Sequence, residues 1–151
     1  MTDLLTLTPT REVELNRALE ALFHAFNAVV ARPDTLLAKQ GLSRVHHRIL
    51  YFVGHNPGLS VNDLLAILNV TKQSLNAPMR QLVELGYVLS ETDARDRRVK
   101  RLSLTETGRE LEDALSGDQR QRFARAFAEG GAQDEAAWRR VMAKLAKRAD
   151  T

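Results

Sequence analysis

The chain has no cysteine. That excludes disulfides, thiolate zinc sites, iron–sulfur clusters and any thiol-based redox sensor made from this polypeptide alone. It also lacks an apolar run long enough to cross a bilayer. The opening stretch MTDLLTLTPTREVE is acidic early and does not show the basic-then-apolar order of an export signal, so the expected location is the cytoplasm. There is no phosphate-binding glycine loop, no metal-ligand spacing and no nucleophile with a recognisable partner set. Neither a metal, a cofactor nor catalysis is therefore expected. Internal repeats and low-complexity segments are missing too.

What is present fits a folded protein. At 151 residues, one domain with an appended assembly element is expected, and 44% hydrophobic against 27% charged residues is ordinary for a globular chain. The net charge of +3 permits nucleic-acid binding without demonstrating it. The placement of the charge has to carry that argument.

A first helix is expected from Thr8-Pro9, with Leu15, Leu19, Leu22, Phe26 and Val30 at helical spacing and Val13, Phe23 and Val29 widening the stripe. Arg32-Pro33-Asp34 should interrupt or kink it, with a short continuation to Gly41. A second helix starts at Ser43 and stops at Asn56-Pro57-Gly58. Ser60 with Asp63 resembles a capping box for a third, short helix. Asn69-Val70 then makes a turn, and Thr71 caps a fourth helix that places Leu75, Met79, Leu82 and Val83 inward and ends at Gly86. Beyond Gly86 the period changes from about 3.6 to 2, giving strands over 87–90 and 99–104. A capping box at Thr107 and Glu110 opens a fifth helix with a bend at Ser116-Gly117, and Asp134 caps a sixth after Gly130-Gly131.

This order predicts a mainly α protein with a small β-hairpin: a winged helix-turn-helix core at 42–105, flanked by dimerisation helices at 1–41 and 106–151. The flanking helices carry more apolar surface than so small a core can cover, and a second copy of the chain is the simplest cover, giving a homodimer. Trp138, the single tryptophan, is expected in that dimer core.

Two segments carry chemistry. The outward residues of the fourth helix are Thr71, Lys72, Gln73, Asn76, Ala77, Arg80 and Gln81, with no acid before Glu84. Lys72, Asn76 and Arg80 form one ridge, and arginine, lysine, asparagine and glutamine match the donor and acceptor patterns of base edges in the major groove of double-stranded DNA. A solvated helix face is the plainer reading, but the position in a helix-turn-helix favours the first. Pro78 inside this helix removes the amide that would reach the Ser74 carbonyl, so a kink or local unwinding is expected. At the hairpin tip Arg95, Arg97, Arg98, Lys100 and Arg101 outnumber Asp93 and Asp96. Arginines on such a finger suit a narrow minor groove, and Asp96 is placed to orient Arg98.

These residues resemble the MarR family of bacterial transcriptional regulators. The likeness rests on Leu-Ser-x-x-His-x-x-Ile-Leu at 42–50, Leu59-Ser60-Val61 with Leu64, and the run from Thr71 to Leu85-Gly86-Tyr87-Val88. Above all it rests on Asp-Ala-Arg-Asp-Arg-Arg at 93–98 leading to Leu-Ser-Leu-Thr-Glu-Thr-Gly at 102–108. The resemblance implies a homodimer with interlocked terminal helices, reading helices in successive major grooves and Arg98, steadied by Asp96, in the flanking minor groove. It further implies a pseudo-palindromic operator, repression in most cases, and release by a small phenolic or anionic effector. Pro78 departs from the family pattern, and the lack of cysteine excludes its peroxide-sensing branch.

For the effector, His24, His46, His47, Arg48, Tyr51 and His55 are candidates bordering the cleft between the first two helices, with packing or capping as the plainer role for the histidines. A metal site is not expected, because adjacent His46 and His47 face different sides of a helix. A winged helix used only to dock another protein is the alternative reading; it would call for a neutral or acidic face where residues 71–81 are basic and polar.

Overall fold

The computed structural model describes residues 5–147. In chain order they form α1 (Pro9–Ala38), α2 (Arg44–His55), β1 (Leu59–Ser60), α3 (Val61–Leu68), α4 (Lys72–Glu84), β2 (Val88–Thr92), β3 (Lys100–Leu104), α5 (Glu106–Gly130) and α6 (Ala132–Ala146). The architecture is mainly helical, with one small antiparallel sheet in the order β1-β3-β2. β1, two residues pairing Leu59 with Leu102, is the element that periodicity did not reveal. Two residues are too few for an alternation to register.

The core lies where α2, α3 and α4 meet the sheet and the start of α5. Leu37, Ile49, Leu50, Val53, Leu64, Leu82, Leu102 and Leu115 have no or almost no exposed surface. Local capping sets the boundaries. Ser60 Oγ accepts from the Asp63 N–H at 3.0 Å, and Thr71 Oγ1 accepts from the Ser74 N–H at 3.1 Å. Between these two helices Asn69 adopts the left-handed conformation, φ 54°, which lets the short connection of residues 69–71 make the turn. At the far end of α4, Gly86 (φ 80°) allows the Tyr87 N–H to reach the Leu82 carbonyl and the Gly86 N–H that of Val83. That double bond pattern is a Schellman stop, and it turns the chain directly into β2.

Five local expectations are corrected. α1 runs unbroken through Pro33 for 30 residues, because the Val29 carbonyl that Pro33 leaves without an amide accepts instead from Gln119 Nε2 of α5 at 3.4 Å. α5 is likewise continuous across Ser116-Gly117, and buried Ser116 pairs with His47 on α2. Its cap is Thr105 rather than Thr107: Thr105 Oγ1 accepts from the Gly108 N–H at 3.0 Å, leaving Thr107 an exposed residue of the first turn. α6 starts at Ala132 behind Gly131, so Asp134 sits in its first turn, favourably placed towards the helix dipole, and is not the cap. Val83, expected inward, is exposed beside the buried Leu82.

Candidate nucleic-acid interface

α4 packs on α2 and β2 through one face. Leu75 and Leu82 are its buried residues, with Met79 half-buried between them. Thr71, Lys72, Gln73, Asn76 and Arg80 all lie on the exposed side. Pro78 does not end the helix, which is α-helical from Lys72 to Glu84. Gln81, although exposed, is engaged: its Oε1 lies 2.8 Å from His46 Nε2.

The hairpin places its cations unequally. Asp96 grips Arg98 through three bonds: Nε to Oδ1 at 3.1 Å, Nη2 to Oδ2 at 3.2 Å, and the Arg98 backbone N–H to Oδ1 at 3.0 Å. The Arg98 side chain is nevertheless 90% exposed, so the clasp orients the guanidinium without sequestering it. Those bonds, the side-chain pair first and the backbone N–H second, hold the Asp96 carboxyl below the usual carboxylate range. Lys100 Nζ donates across the hairpin to Thr92 Oγ1 at 2.7 Å. Arg101 folds back towards Asp93 (3.9 Å) and donates to the Gly58 carbonyl (3.3 Å). Among the described residues Arg95 and Arg97 have no ion-pair partner, leaving both available for an anionic ligand.

A second feature is a cleft of about 270 Å³ lined by Phe26, Val30, Arg44, His47, Arg48, Tyr51, Phe52 and Gln119. It brings together Arg48 and Tyr51, as expected, and adds Arg44 and Gln119, which the sequence reading missed. Arg44 stands four residues before Arg48 on the same ridge, a signal available beforehand; Gln119 offers none. His24 and His46 do not line the cleft. His24 is exposed on α1, edge-on to Phe23, because α1 turns that face away from α2. His46 is buried as a helix cap: its Nδ1 accepts from the Ser43 N–H at 3.0 Å. His55 stacks on Tyr51 and donates from Nδ1 to the Tyr51 carbonyl at 2.7 Å. His47 faces the cleft, with Nε2 3.1 Å from Ser116 Oγ. Burial pushes its pKa below the ordinary 6.5, against the opposing pull of Glu112 and Asp34 and with the help of Arg48. Arg44 is clasped by Asp34 at 2.9 Å and lies over the Phe26 ring, so Arg48 is the less committed cation. No group of metal-ligating side chains occurs among the described residues.

Sequence comparison decides the family. Over 137 residues, 91% of this chain and 82% of the relative, the sequence is 40% identical to the HTH-type transcriptional regulator PetP of Rhodobacter capsulatus. A MarR-family model also matches residues 40–99, which span α2 to the hairpin tip.

The chain belongs to the MarR family.

Its fold agrees. The structure superposes on Streptococcus pneumoniae FabT in complex with DNA at TM-score 0.70, with 22% identity over 87% of this chain and 94% of that one. NadR in complex with 4-hydroxyphenylacetate gives TM-score 0.70 at 19% identity, covering 99% and 100%. The protein is accordingly a winged helix-turn-helix transcriptional regulator of the MarR family. No helix among the described residues is long and apolar enough to cross a membrane.

Proposed function

We propose that the protein is a homodimeric, cytoplasmic repressor that binds a pseudo-palindromic operator and releases it when a phenolic or anionic small molecule enters the cleft. It works by binding alone, without a reaction of its own. Residues 42–105 read DNA and the helices of 1–41 and 106–151 hold the dimer. The carrying observation is a pair of exposed probes: the face of residues 71–81, which has no acid, and an Arg98 oriented by Asp96 yet open to solvent. Lys72, Gln73, Asn76 and Arg80 contact base edges, and Thr71 a phosphate or a thymine methyl. Arg98 enters the minor groove, flanked by Arg95, Arg97 and Lys100 on the backbone. FabT with DNA and NadR with 4-hydroxyphenylacetate support the two halves of this reading as relatives in fold. In the cleft, Arg48 and Tyr51 supply charge and a hydroxyl, and Phe26 and Phe52 supply apolar walls for a ring.

Selection from a random duplex pool, followed by anisotropy titration, tests it. An operator should emerge with two half-sites about one helical turn apart. Arg98→Ala should weaken binding to every duplex and lower the salt slope by about one. Asn76→Ala should instead lose roughly 1–3 kcal/mol of discrimination at one base pair. A wild-type protein that binds all duplexes equally would end this reading.

A further inference from the structure

His46 stands apart from its neighbours. Arg44, His47 and Arg48 line the cleft on one side of α2, whereas the His46 ring is 6% exposed and points to α4. Both ring nitrogens are used. Nδ1 accepts from the Ser43 N–H at 3.0 Å, so the ring proton sits on Nε2 and donates to Gln81 Oε1 at 2.8 Å. The chain Ser43–His46–Gln81 thus joins the first turn of α2 to the last turns of α4 across 35 positions of sequence.

That bond matters because, among the described residues, it is the side-chain hydrogen bond that ties α4 to another helix. Leu75, Met79 and Leu82 seat α4 on the core, but aliphatic packing is non-directional and sets no hydrogen-bond geometry. With side chains reaching roughly 6 Å from a helix axis, a rotation of about 10° displaces their tips by about 1 Å. Such a shift spoils hydrogen bonds to base edges, whose heavy-atom distances tolerate only a few tenths of an ångström. It scarcely affects a Coulombic attraction to phosphate.

We propose that His46 is a positioning residue for base reading: through Gln81 it fixes the rotation of α4, and so where Lys72, Gln73, Asn76 and Arg80 meet the groove. Gln81 is on this account an anchor rather than a base contact. The inference rests on the DNA-binding reading given above.

The test compares His46→Leu, Gln81→Met, the double variant and His46→Gln on the operator selected by the wild type and on random duplex. A glutamine at position 46 can accept from Ser43 and donate to Gln81, so it should restore function. Each of the first two should lower the operator-over-random ratio by roughly tenfold, with random-duplex affinity and its salt slope unchanged. The loss should spread over every base pair that α4 reads, the double variant should be no worse than either single, and His46→Gln should return to the wild-type ratio. Gln81 is on the surface, so its variant tests the idea even where His46→Leu fails to fold. A Gln81→Met defect confined to one base pair, additive losses in the double variant, or an unchanged ratio in the singles would each overturn the proposal while leaving the regulator reading intact. A wild type with no preferred sequence would overturn both.

Discussion

Gly108 shows how one residue can hold the wing to α5. Thr105, the α5 cap, donates its backbone N–H to the Tyr87 carbonyl at 3.0 Å and its hydroxyl to the Gly86 carbonyl at 2.5 Å. A Cβ on Gly108 would fall well inside contact distance of that same Tyr87 carbonyl, a backbone atom that cannot swing aside. Gly108→Ala should therefore cost about 3 kcal/mol or more, read as a lowered denaturation midpoint. This gives the Thr-Glu-Thr-Gly segment a packing reason independent of DNA. At the same scale, His47 ties stability to pH. Its folded pKa is depressed by burial, so below pH 6.5 the unfolded chain takes up a proton that the folded chain resists. Its contribution is complete above pH 6.5 and drains away as the pH falls through the lower folded value. His47→Gln should make the acid limb of the stability profile shallower; an unaltered limb would show that His47 is as solvated when folded as when unfolded.

At the scale of elements, two prolines inside helices lead to opposite expectations. Pro33 is buried, and the carbonyl it orphans is served by Gln119 from α5. Removing that donor with Gln119→Leu should cost about 1 kcal/mol, since the Val29 carbonyl would be left without a partner. Pro78 lies on α4, where among the described residues neither a side chain nor a loop amide donates to the Ser74 carbonyl. Pro78→Ala should accordingly stabilise the protein, by roughly 1–3 kcal/mol, because it restores an amide to that turn. A lower thermal midpoint for this variant would mean that the proline ring's own packing outweighs the missing bond. Both prolines were plain in the sequence. Which one had a rescuing partner was not, because Gln119 lies 90 residues from Val29.

For the whole molecule, the uncovered apolar surface is the main feature. Leu19, Leu22 and Phe23 on α1 are 66%, 48% and 62% exposed, and Val141 and Leu145 on α6 are exposed as well. Trp138 is only part of this surface: it packs edge-on against Phe123 and Phe127, fastening α6 to α5 within one chain. Large apolar areas of this kind rarely stay in water on a monomer. Leu22→Glu with Phe23→Glu should shift sedimentation from a dimer to a 16.9 kDa monomer and remove the dependence of thermal midpoint on protein concentration. Sedimentation of the unaltered chain as a monomer would refute the proposed assembly.

The order of helices, the helix-turn-helix, the wing and the Asp96–Arg98 clasp were all readable in the sequence, because each depends on residues within a few positions of one another. Period, cap and turn chemistry act locally and leave local traces. The rest depended on segments distant in sequence meeting in space: β1 on the edge of the hairpin, Gln119 mending α1, and the cleft walls drawn from α1, α2 and α5. Which side of α2 each histidine takes belongs there too. A helix period says that His46 and His47 diverge, but only the packed neighbours decide that one meets Gln81 and the other Ser116.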